Sequence, residues 1–486
     1  MRKPLRNDGK TVAPMLRDND GDVVRQSVLA PNGKEIFTLP QIIDQLTRPN
    51  VAWATGEIGI GFNPMPKAGP GTITFAFFDD ASQVYSSEKS QFSPMTTAQR
   101  DAVRAAFAIW SDFIPVHFVE GTPATADINL GNLDTTEDYF GAYASYPGNS
   151  LVAGDIWVNM LGGVYNQVAL GESALRTLFH EMGHALGLSH PGAYDAAEGV
   201  TITYEANAEY YQDSHEYTIM SYFGSINTGA TRTSFAATPL AHDIAAIQSL
   251  YGVNLTTRTG DTVYGFNSTA DRPALDFTKN TAPVVAIWDA GGRDTLDFSG
   301  WSSNSRIDLS PGAFSDGGGQ TSNVQIAFGT IIENAVAGAG NDSITGNAVG
   351  NVLQAGGGAD TIRGGRGMDR IEGGAGADIF VFGTAGESRD LAARSDGKKA
   401  SADRLNDFLS GTDRIDLSAV DANRGTDGDQ AFSWIGTNAF SGVAGQLRAE
   451  VLDGLVHIYG DTNGDLRADL HIIASGTQIL VNDFIL

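Results

Sequence analysis

The sequence predicts an α+β domain followed by an all-β domain built from stacked parallel turns. Between about Phe37 and Tyr251 the apolar residues follow both helical and strand periodicities, as in a mixed domain. After Gly252 the helical periodicity stops, and short apolar pairs alternate with turns of Gly, Asp and Asn. A nine-residue period runs between Ala337 and Val381. We therefore expect a leader or pro-segment at 1–25, a first domain at 26–252 and a second at 253–486.

The composition excludes several classes of protein. The 486 residues include 31 Lys and Arg, 57 Asp and Glu, and no Cys, giving a net charge of −26. This charge argues against nucleic acid or an anionic membrane as a partner. The lack of Cys excludes disulfides, a thiol nucleophile and thiolate-ligated zinc. No run approaches 18 apolar residues, so we expect no membrane span.

The chain start carries positive charges with no apolar stretch behind them, over Met1–Asp8. We therefore expect no conventional N-terminal secretory signal. The acidic cluster Asp18–Asp22 is interpreted as solvated charge within the leader.

In the first domain the apolar pattern identifies two strands and three helices. The strands are expected at 72–78 and 126–130. The helices begin at Thr97, near Glu172 and after Pro239, and the last two end at a glycine.

The second of these helices carries a metal-binding pattern. His180 and His184 are four residues apart, so both imidazoles lie on one helix face, about 6 Å apart along its axis. Gly187 can end the helix with positive φ and bring His190 to a third ligand position. Three neutral imidazoles leave one position open, which is typical of a catalytic zinc. Glu181 is rotated by about 100° from His180 and is expected to act as the general base on a water molecule.

A single histidine is more often structural than a ligand. Here five defined positions match together, and the set favours a zinc hydrolase. Downstream, Met220 and Tyr222 form the Met-turn that the longer metzincin pattern requires. We expect Met220 to form an apolar floor beneath the ligands and Tyr222 to donate a hydrogen bond to the developing oxyanion.

With these motifs the chain resembles the serralysin family, metzincin zinc metallopeptidases with a C-terminal calcium-binding RTX β-roll. The likeness runs from about Phe37 to the C-terminus. It is carried by the zinc helix with Pro191-Gly192, the Met-turn, and segments 244–252 and 259–268. The resemblance implies that Tyr222 is also a zinc ligand in the resting enzyme. It further implies broad specificity, with an antiparallel edge strand at 127–130 pairing with extended substrates.

The nine-residue repeat matches the calcium-binding nonapeptide, in which glycine carbonyls and one aspartate face an ion. An apolar residue at the eighth position points inward, and calcium suits such oxygen ligands better than magnesium does. A Gly-rich linker is the alternative, but it would not keep an apolar residue at every ninth position. The candidate calcium ligands are Gly338, Gly340, Asp342, Gly356, Gly358, Asp360, Gly365, Gly367, Asp369, Gly374, Gly376 and Asp378. Asn351 replaces Asp in the second turn, so an ion there should bind more weakly.

The family resemblance implies further calcium sites between the two domains. Their candidate ligands are the carbonyls of Arg258, Gly260 and Thr262 together with Asp289, Gly291, Gly292, Asp294 and Glu333. The segment Asp461–Asp469 is either a partial calcium loop or a solvated turn, since its Gly is misplaced for an EF-hand.

The chain end, Asp483 followed by three apolar residues, is compatible with a final edge strand. In serralysins such an ending belongs to an uncleaved C-terminal export signal read by a type I secretion apparatus. The resemblance therefore implies a secreted, extracellular bacterial monomer, made as a zymogen, whose calcium coil folds outside the cell. A proteinaceous inhibitor is a further candidate partner.

The expected function is a secreted endopeptidase with one zinc and several calcium ions, acting on protein or peptide substrates. One alternative is a calcium-dependent surface or adhesive RTX protein with little peptidase activity. Another is hydrolysis of a non-peptide substrate such as a lipid. The intact His set and Met220-x-Tyr222 argue against a vestigial site, and a proteolysis assay separates the three.

Overall fold

The computed structural model describes residues 28–53, 71–138, 140–166, 168–389 and 402–486, and the backbone of two short strands before them. Apart from those two strands, the expected leader lies outside the described residues, and Asp18–Asp22 lies outside them entirely.

Five α-helices occur in the described part of the chain. They are α1 (Leu39–Leu46), α2 (Thr97–Phe113), α3 (Ser173–Ala185), α4 (Tyr204–Asn207) and α5 (Ala241–Tyr251). Helices α2, α3 and α5 confirm the three predicted from the apolar pattern. Helix α2 begins at a capping box, in which Thr96 accepts from the Gln99 N–H and the Gln99 side chain accepts from the Thr96 N–H. Its inner face buries Val103, Phe107 and Trp110.

The first domain contains a six-stranded sheet. Two separate antiparallel strand pairs precede it in the chain: β1 (Leu16–Arg17) with β2 (Val23–Val24), and β3 (Val28–Leu29) with β4 (Glu35–Ile36). The six strands of the sheet are β5 (Gly71–Phe77), β6 (Phe92–Ser93), β7 (Val116–Glu120), β8 (Ile128–Leu133), β9 (Ala142–Ala144) and β10 (Ile156–Asn159). The sheet order is β7-β5-β8-β10-β9, with β6 also paired to β8. Strands β5, β7, β8 and β10 run parallel to one another, whereas β9 runs antiparallel to β10.

The expectation that 127–130 is an edge strand is wrong. Residues 128–130 begin β8, which pairs with β5 on one side and with β10 on the other. All six residues of β8 are buried, as an interior strand requires. The antiparallel edge strand is β9 instead, and it packs against the zinc helix α3.

The second domain is a coil of short strands. These are β11 (Val263–Gly265), β12 (Val285–Ile287), β13 (Thr295–Asp297), β14 (Arg306–Asp308), β15 (Phe314–Ser315), β16 (Val324–Ile326), β17 (Asn334–Val336), β18 (Ser343–Thr345), β19 (Val352–Gln354), β20 (Thr361–Arg363), β21 (Arg370–Glu372), β22 (Ile379–Val381), β23 (Asp403–Leu405), β24 (Arg414–Asp416), β25 (Ser433–Trp434), β26 (Gln446–Leu452), β27 (Leu455–Asp461), β28 (Leu470–Ala474) and β29 (Phe484–Ile485).

Successive strands of the repeat alternate between two sheets, which confirms the predicted parallel β-roll. One sheet has the order β11-β13-β17-β19-β21-β23-β28-β27-β26-β25, and the other has β14-β18-β20-β22-β24-β29. Each strand of the repeat therefore pairs in parallel with the second strand after it in the chain. Ile344 lies opposite Ile362, and Leu353 lies opposite Ile371. The apolar residues at the eighth position of the repeat are all buried, because the side chains of both sheets meet between them: Ile344, Ile362, Ile371 and Phe380, together with Leu353 of the degenerate second turn.

The two domains share one continuous apolar core, which extends from Ile42 to Phe484. A charged contact also joins them, since Asp112 of α2 accepts 2.8 Å hydrogen bonds from both Arg258 and Arg272. Among the described helices, none has the length and apolar character needed to cross a membrane.

Candidate active site and calcium sites

The zinc helix and the turn after it place three histidines together. His180 and His184 lie on α3, and the helix ends at the C-cap residue Leu186. Gly187 then takes φ +107°, and a Cβ there would lie 2.2 Å from the Val51 carbonyl oxygen. Because a side chain would meet this backbone, glycine is required for the turn that returns His190 to the helix.

The three imidazoles converge on one point through their Nε2 atoms. The distances are 3.1 Å from His180 to His184, 3.0 Å from His184 to His190 and 3.2 Å from His180 to His190. Each Nδ1 instead contacts a backbone carbonyl at 2.7–2.8 Å, on Ile219, Leu188 and Tyr194 respectively.

A proton on each Nδ1 satisfies those carbonyls and leaves three Nε2 lone pairs facing one another. Three acceptors without a donor repel unless a cation lies between them. In the described residues, these three histidines are the only group of His, Asp or Glu close enough to hold a metal ion in this way. The donor set fits zinc in an open catalytic site.

Burial also keeps the three rings neutral, as metal ligands must be. It lowers the pKa of His184 to about 3 and that of His190 to about 4, and it holds the pKa of His180 well below its ordinary value. Repulsion between the neighbouring imidazoles acts in the same direction for His180 and His184.

Glu181 lies buried beside these ligands on the same helix. Burial raises the pKa of its carboxyl to about 8, while the positive charge of Arg176 acts in the opposite direction. A carboxyl with a pKa near neutrality is suited to accept and return a proton.

The Met-turn lies against the zinc helix. Met220 is fully buried, and a Cβ on Gly183 would lie 2.7 Å from its Sδ, so this close approach requires a glycine. The turn is held by Asp243 of α5, whose carboxylate accepts from the Thr218 hydroxyl and from the Ile219 N–H at 2.9 Å. Burial raises the pKa of Asp243 to about 6. Asp243 was not predicted from the sequence, although an acid in the first turn of a helix is a recognisable signal.

Tyr222 lies beside the ligands, as expected, with its ring centroid 4.5 Å from that of His190 and 5.9 Å from that of His180. The side chain is partly exposed. Burial of the rest of the ring and the nearby Glu181 raise the pKa of the phenol to about 12, so the hydroxyl keeps its proton at neutral pH. The Tyr146 ring also lies beside the cluster, 5.6 Å from that of His184 between centroids.

In the β-roll the repeat aspartates form two ladders. In the first ladder, each backbone N–H donates to the carboxylate of the next aspartate along the sheet. The order is Ser305 to Asp342, Asp342 to Asp360, Asp360 to Asp378 and Asp378 to Asp413, with 18 residues between partners inside the repeat. Along the other, Asn351 donates to Asp369, which donates to a further aspartate, Asp403. The eight predicted glycines lie in the turns between strands β17 and β22. Gly376 is the tightest of them, with φ +150° and a hypothetical Cβ only 1.5 Å from the Gly358 oxygen.

Each ladder bond uses only one carboxylate oxygen. Among the described residues, the buried Oδ2 atoms of Asp360, Asp369 and Asp403 have no hydrogen-bond partner. Burial raises the pKa of Asp360 and Asp369 to about 6 and, with repulsion from Asp369, that of Asp403 to about 9. Unpartnered buried oxygens of like charge are the donors that calcium neutralises, so these turns fit the ion.

The ladders extend beyond the predicted repeat, to Asp403 and Asp413. Neither aspartate was predicted from the sequence. Their signal is an Asp two residues before a buried apolar residue, Leu405 or Ile415, as in the repeat itself.

The structure also brings together the acids and backbone that the resemblance implied between the domains. Thr262 N–H donates to Asp294 at 2.8 Å, Asp294 N–H donates to Glu333 at 2.8 Å, and Gly291 N–H donates to Asp289 at 2.7 Å. The Gly260 oxygen lies 2.6 Å from where a Cβ on Gly292 would be.

Two further observations concern this group. Burial raises the pKa of Asp294 to about 7, and its Oδ2 has no hydrogen-bond partner among the described residues. The Arg258 side chain itself pairs with Asp112 and donates to Trp288 O at 2.7 Å. The Arg258 side chain is thus occupied by other contacts, and the candidate ligand of this residue is its backbone carbonyl.

The segment Asp461–Asp469 forms a turn held by its own carboxylates, and Asp461 within it is buried. One Asp461 carboxylate oxygen accepts from Asn463 and Gly464 N–H, and the other accepts from Leu466 N–H. The Asp469 carboxylate accepts from Thr462. Protein donors thus bind both carboxylate oxygens of Asp461 and one of Asp469.

Two family models match the chain. Residues 77–217 match the model described as Matrixin, and residues 253–486 match Peptidase M10 serralysin C terminal.

Several known proteins are similar over most of their length. Metalloprotease AprA of Pseudomonas entomophila is 40% identical over 471 residues, which is 93% of this chain and 91% of that protein. Serralysin of Photorhabdus laumondii is 40% identical and covers 82% of each chain. Serralysin A of Dickeya chrysanthemi is 40% identical over 87% of this chain and 84% of its own length. These relatives do not favour the adhesive alternative.

Proposed function

Because the chain belongs to the serralysin family of zinc metalloendopeptidases, we propose that His180, His184 and His190 bind its catalytic zinc. The observation that carries this proposal is the convergence of three Nε2 atoms within 3.2 Å of one another, each ring oriented by a carbonyl at its Nδ1. When bound, the zinc supplies a Lewis acid that polarises the scissile carbonyl and lowers the pKa of water.

Glu181 is the general base in this proposal. Its side chain shares the helix of two ligands and takes the proton of the attacking water. The same carboxyl then returns a proton to the leaving amine. Its burial beside the proposed ligands supports both transfers.

Tyr222 donates a hydrogen bond from its protonated hydroxyl to the oxyanion that develops on the substrate. Its position 4.5 Å from the His190 ring, between centroids, and its partly exposed side chain support this role. In the resting enzyme the same side chain is proposed as an additional zinc ligand.

Edge strand β9 takes the substrate-pairing role that the sequence analysis assigned to 127–130. It is the antiparallel edge of the sheet and lies against α3. An extended peptide added there would be held by main-chain hydrogen bonds, which supports broad specificity.

The second domain is proposed to bind calcium through the ladder aspartates Asp342, Asp360, Asp369 and Asp378, with the turn glycine carbonyls. The unpartnered buried oxygens support this assignment. The acids and carbonyls between the domains, including Asp289, Asp294 and Glu333, would hold further ions. We also propose the division into 26–252 for hydrolysis and 253–486 for calcium binding.

Release from the cell by a type I apparatus that reads the C-terminal end is part of this proposal, as is removal of 1–25 on activation. The enzyme is proposed to act as a monomer, and a proteinaceous inhibitor is a candidate partner. The raised pKa values of the ladder acids support a coil that folds only when calcium neutralises it.

The decisive experiment is casein hydrolysis in millimolar calcium, before and after removal of zinc with a zinc-selective chelator. We expect activity to disappear and to return on stoichiometric zinc addition. Glu181→Ala should keep zinc and fold yet retain less than about a tenth of wild-type turnover, because no other group replaces the base. Zinc-loaded, calcium-folded, leader-trimmed protein that never cuts casein would contradict the proposal.

A further inference from the structure

A cavity of about 250 Å³ lies beside the proposed zinc ligands. Arg176, one helical turn before His180 on α3, forms part of its wall, together with Ile219, whose carbonyl contacts His180. His215 and Arg232 line the same space. The cavity is therefore next to the reacting centre and carries two cationic side chains.

Neither guanidinium forms an ion pair with a described residue, although the charges of Glu181 and Glu216 partly offset the burial of Arg176 and Arg232 respectively. In the described ranges no carboxylate lies within 4.0 Å of Arg176 or Arg232. Arg232 donates to the backbone carbonyls of His215, Glu216 and Ser322, so it is fixed as part of the wall. Arg176 makes one hydrogen bond, 2.6 Å to His215 Nε2, and its buried Nε has no partner among the described residues.

The single hydrogen bond of Arg176 is itself in conflict, although its guanidinium also lies 5.6 Å from the centroid of the Phe235 ring. His215 Nε2 lies 2.6 Å from the Arg176 guanidinium, which can only donate, and 2.8 Å from the Ser221 carbonyl oxygen, which can only accept. One ring nitrogen cannot satisfy both, because it either accepts from Arg176 or donates to Ser221. An acceptor entering the cavity would take the Arg176 donors and free His215 Nε2 to donate to Ser221.

The charges are also poorly solvated. Burial lowers the pKa of Arg176, and it lowers that of Arg232 to about 10. A bound anion would offset that loss of solvation, whereas a cationic or apolar group would not.

We propose that this cavity is a specificity pocket that binds a carboxylate of the substrate next to the scissile bond, with Arg176 as its principal donor. Guanidinium and carboxylate groups match in geometry and can form two parallel hydrogen bonds. The carboxylate can come from an Asp or Glu side chain or from the free end of a peptide. The inference rests on the proposed function, since it assigns a preferred substrate class to the same site.

The test uses the full-length, zinc- and calcium-loaded enzyme and peptides of one sequence. Glu, Gln and Ala are placed in turn at each of the three positions on either side of the cleaved bond, and products are identified by mass spectrometry. A second series compares peptides with a free acid or an amide at the C-terminus. We expect kcat/KM for Glu to exceed that for Gln at least about tenfold at one position, as for a charge-assisted hydrogen bond. A preference confined to the free-acid series supports the proposal with the chain end as the source.

Arg176→Gln should abolish this ratio, because its amide can still donate to His215 but carries no charge. Arg176→Lys should restore part of it. The matched control is Arg104→Gln on α2, which removes an arginine that does not line the cavity and should leave the ratio unchanged.

Equal rates for Glu and Gln, and for acid and amide, would overturn the inference while leaving the peptidase intact. A ratio that survives in Arg176→Gln would overturn the role of Arg176. Loss of zinc-dependent cleavage of every peptide by the wild-type enzyme would instead contradict the proposed function itself.

Discussion

Replacing Asp155 by asparagine is expected to stabilise the protein at pH 7 and above. Asp155 is 3% exposed at the start of β10, and its carboxylate has one side-chain donor, Asn129 Nδ2 at 3.3 Å. The other amide atom of this donor residue, Asn129 Oδ1, has no partner among the described residues. The introduced amide would be neutral, would keep the shape of the carboxylate, and could donate to that oxygen.

The magnitude follows from the pKa of the carboxyl. Burial, with a smaller effect from Glu88, raises the pKa of Asp155 from 3.8 to about 7. At about 1.4 kcal/mol for each pKa unit, this difference corresponds to about 4 kcal/mol. Local opening that admits water reduces the value, so we expect the substitution to stabilise the protein by about 1–4 kcal/mol.

The sign depends on pH. Because the pKa is higher in the folded state, the protonated acid contributes its full stability below about pH 4, and this contribution is lost as pH rises through 7. The difference in Tm between variant and wild type should therefore be small near pH 4.5 and reach its maximum by about pH 8.5. For a domain of this size we expect about 2–4 °C for each kcal/mol.

The assay is thermal unfolding by circular dichroism between about pH 4.5 and 8.5, with zinc and calcium held constant. Both proteins carry Glu181→Ala to prevent autolysis. Asp127→Asn is the matched control, because the Asp127 carboxylate accepts from both the N–H and the hydroxyl of Thr74 at 2.7 Å. It should lower Tm. A Tm difference for Asp155→Asn that is negative or independent of pH would refute the reasoning.

Three further predictions concern the sites. Tyr222→Phe should lower kcat more than it raises KM, because the hydrogen bond from the Tyr222 hydroxyl is needed mainly in the transition state. Steady-state kinetics on one peptide measure both constants, and an unchanged kcat would exclude oxyanion stabilisation by Tyr222. Asp243→Ala should destabilise the Met-turn by about 3 kcal/mol, because the Ile219 and Leu240 N–H groups and the Thr218 hydroxyl lose their acceptor. Tm and zinc retention against a chelator should both fall, and unchanged values would contradict this role of Asp243. Asn351→Asp should lower Tm in excess chelator, because the hydrogen bond from the Asn351 amide to the Glu333 carbonyl is lost, and should raise Tm in millimolar calcium. If the Tm curves of variant and wild type do not cross during a calcium titration, no ion binds at that turn.

The features that depend on short spacing along the chain follow from the sequence alone. His180 and His184 lie on one face because a helix repeats every 3.6 residues, and His190 returns because Gly187 can take positive φ. The β-roll was equally readable, since a nine-residue period repeats its turn and its inward residue in every coil. In both cases the residues that meet are close to one another in the sequence.

Which distant segments meet depends on how the helices and strands pack together. This packing placed β8 inside the sheet and β9 at its edge, because strand order depends on crossovers that the local pattern does not encode. It brought Asp243 to the Met-turn across 24 residues and Arg176 to His215 across 39. It also continued the aspartate ladder to Asp403 across a 34-residue gap. These contacts arise when whole helices and strands pack together. A single polar side chain leaves no periodic pattern in the sequence, so a repeat or a helix face alone does not predict its distant partner.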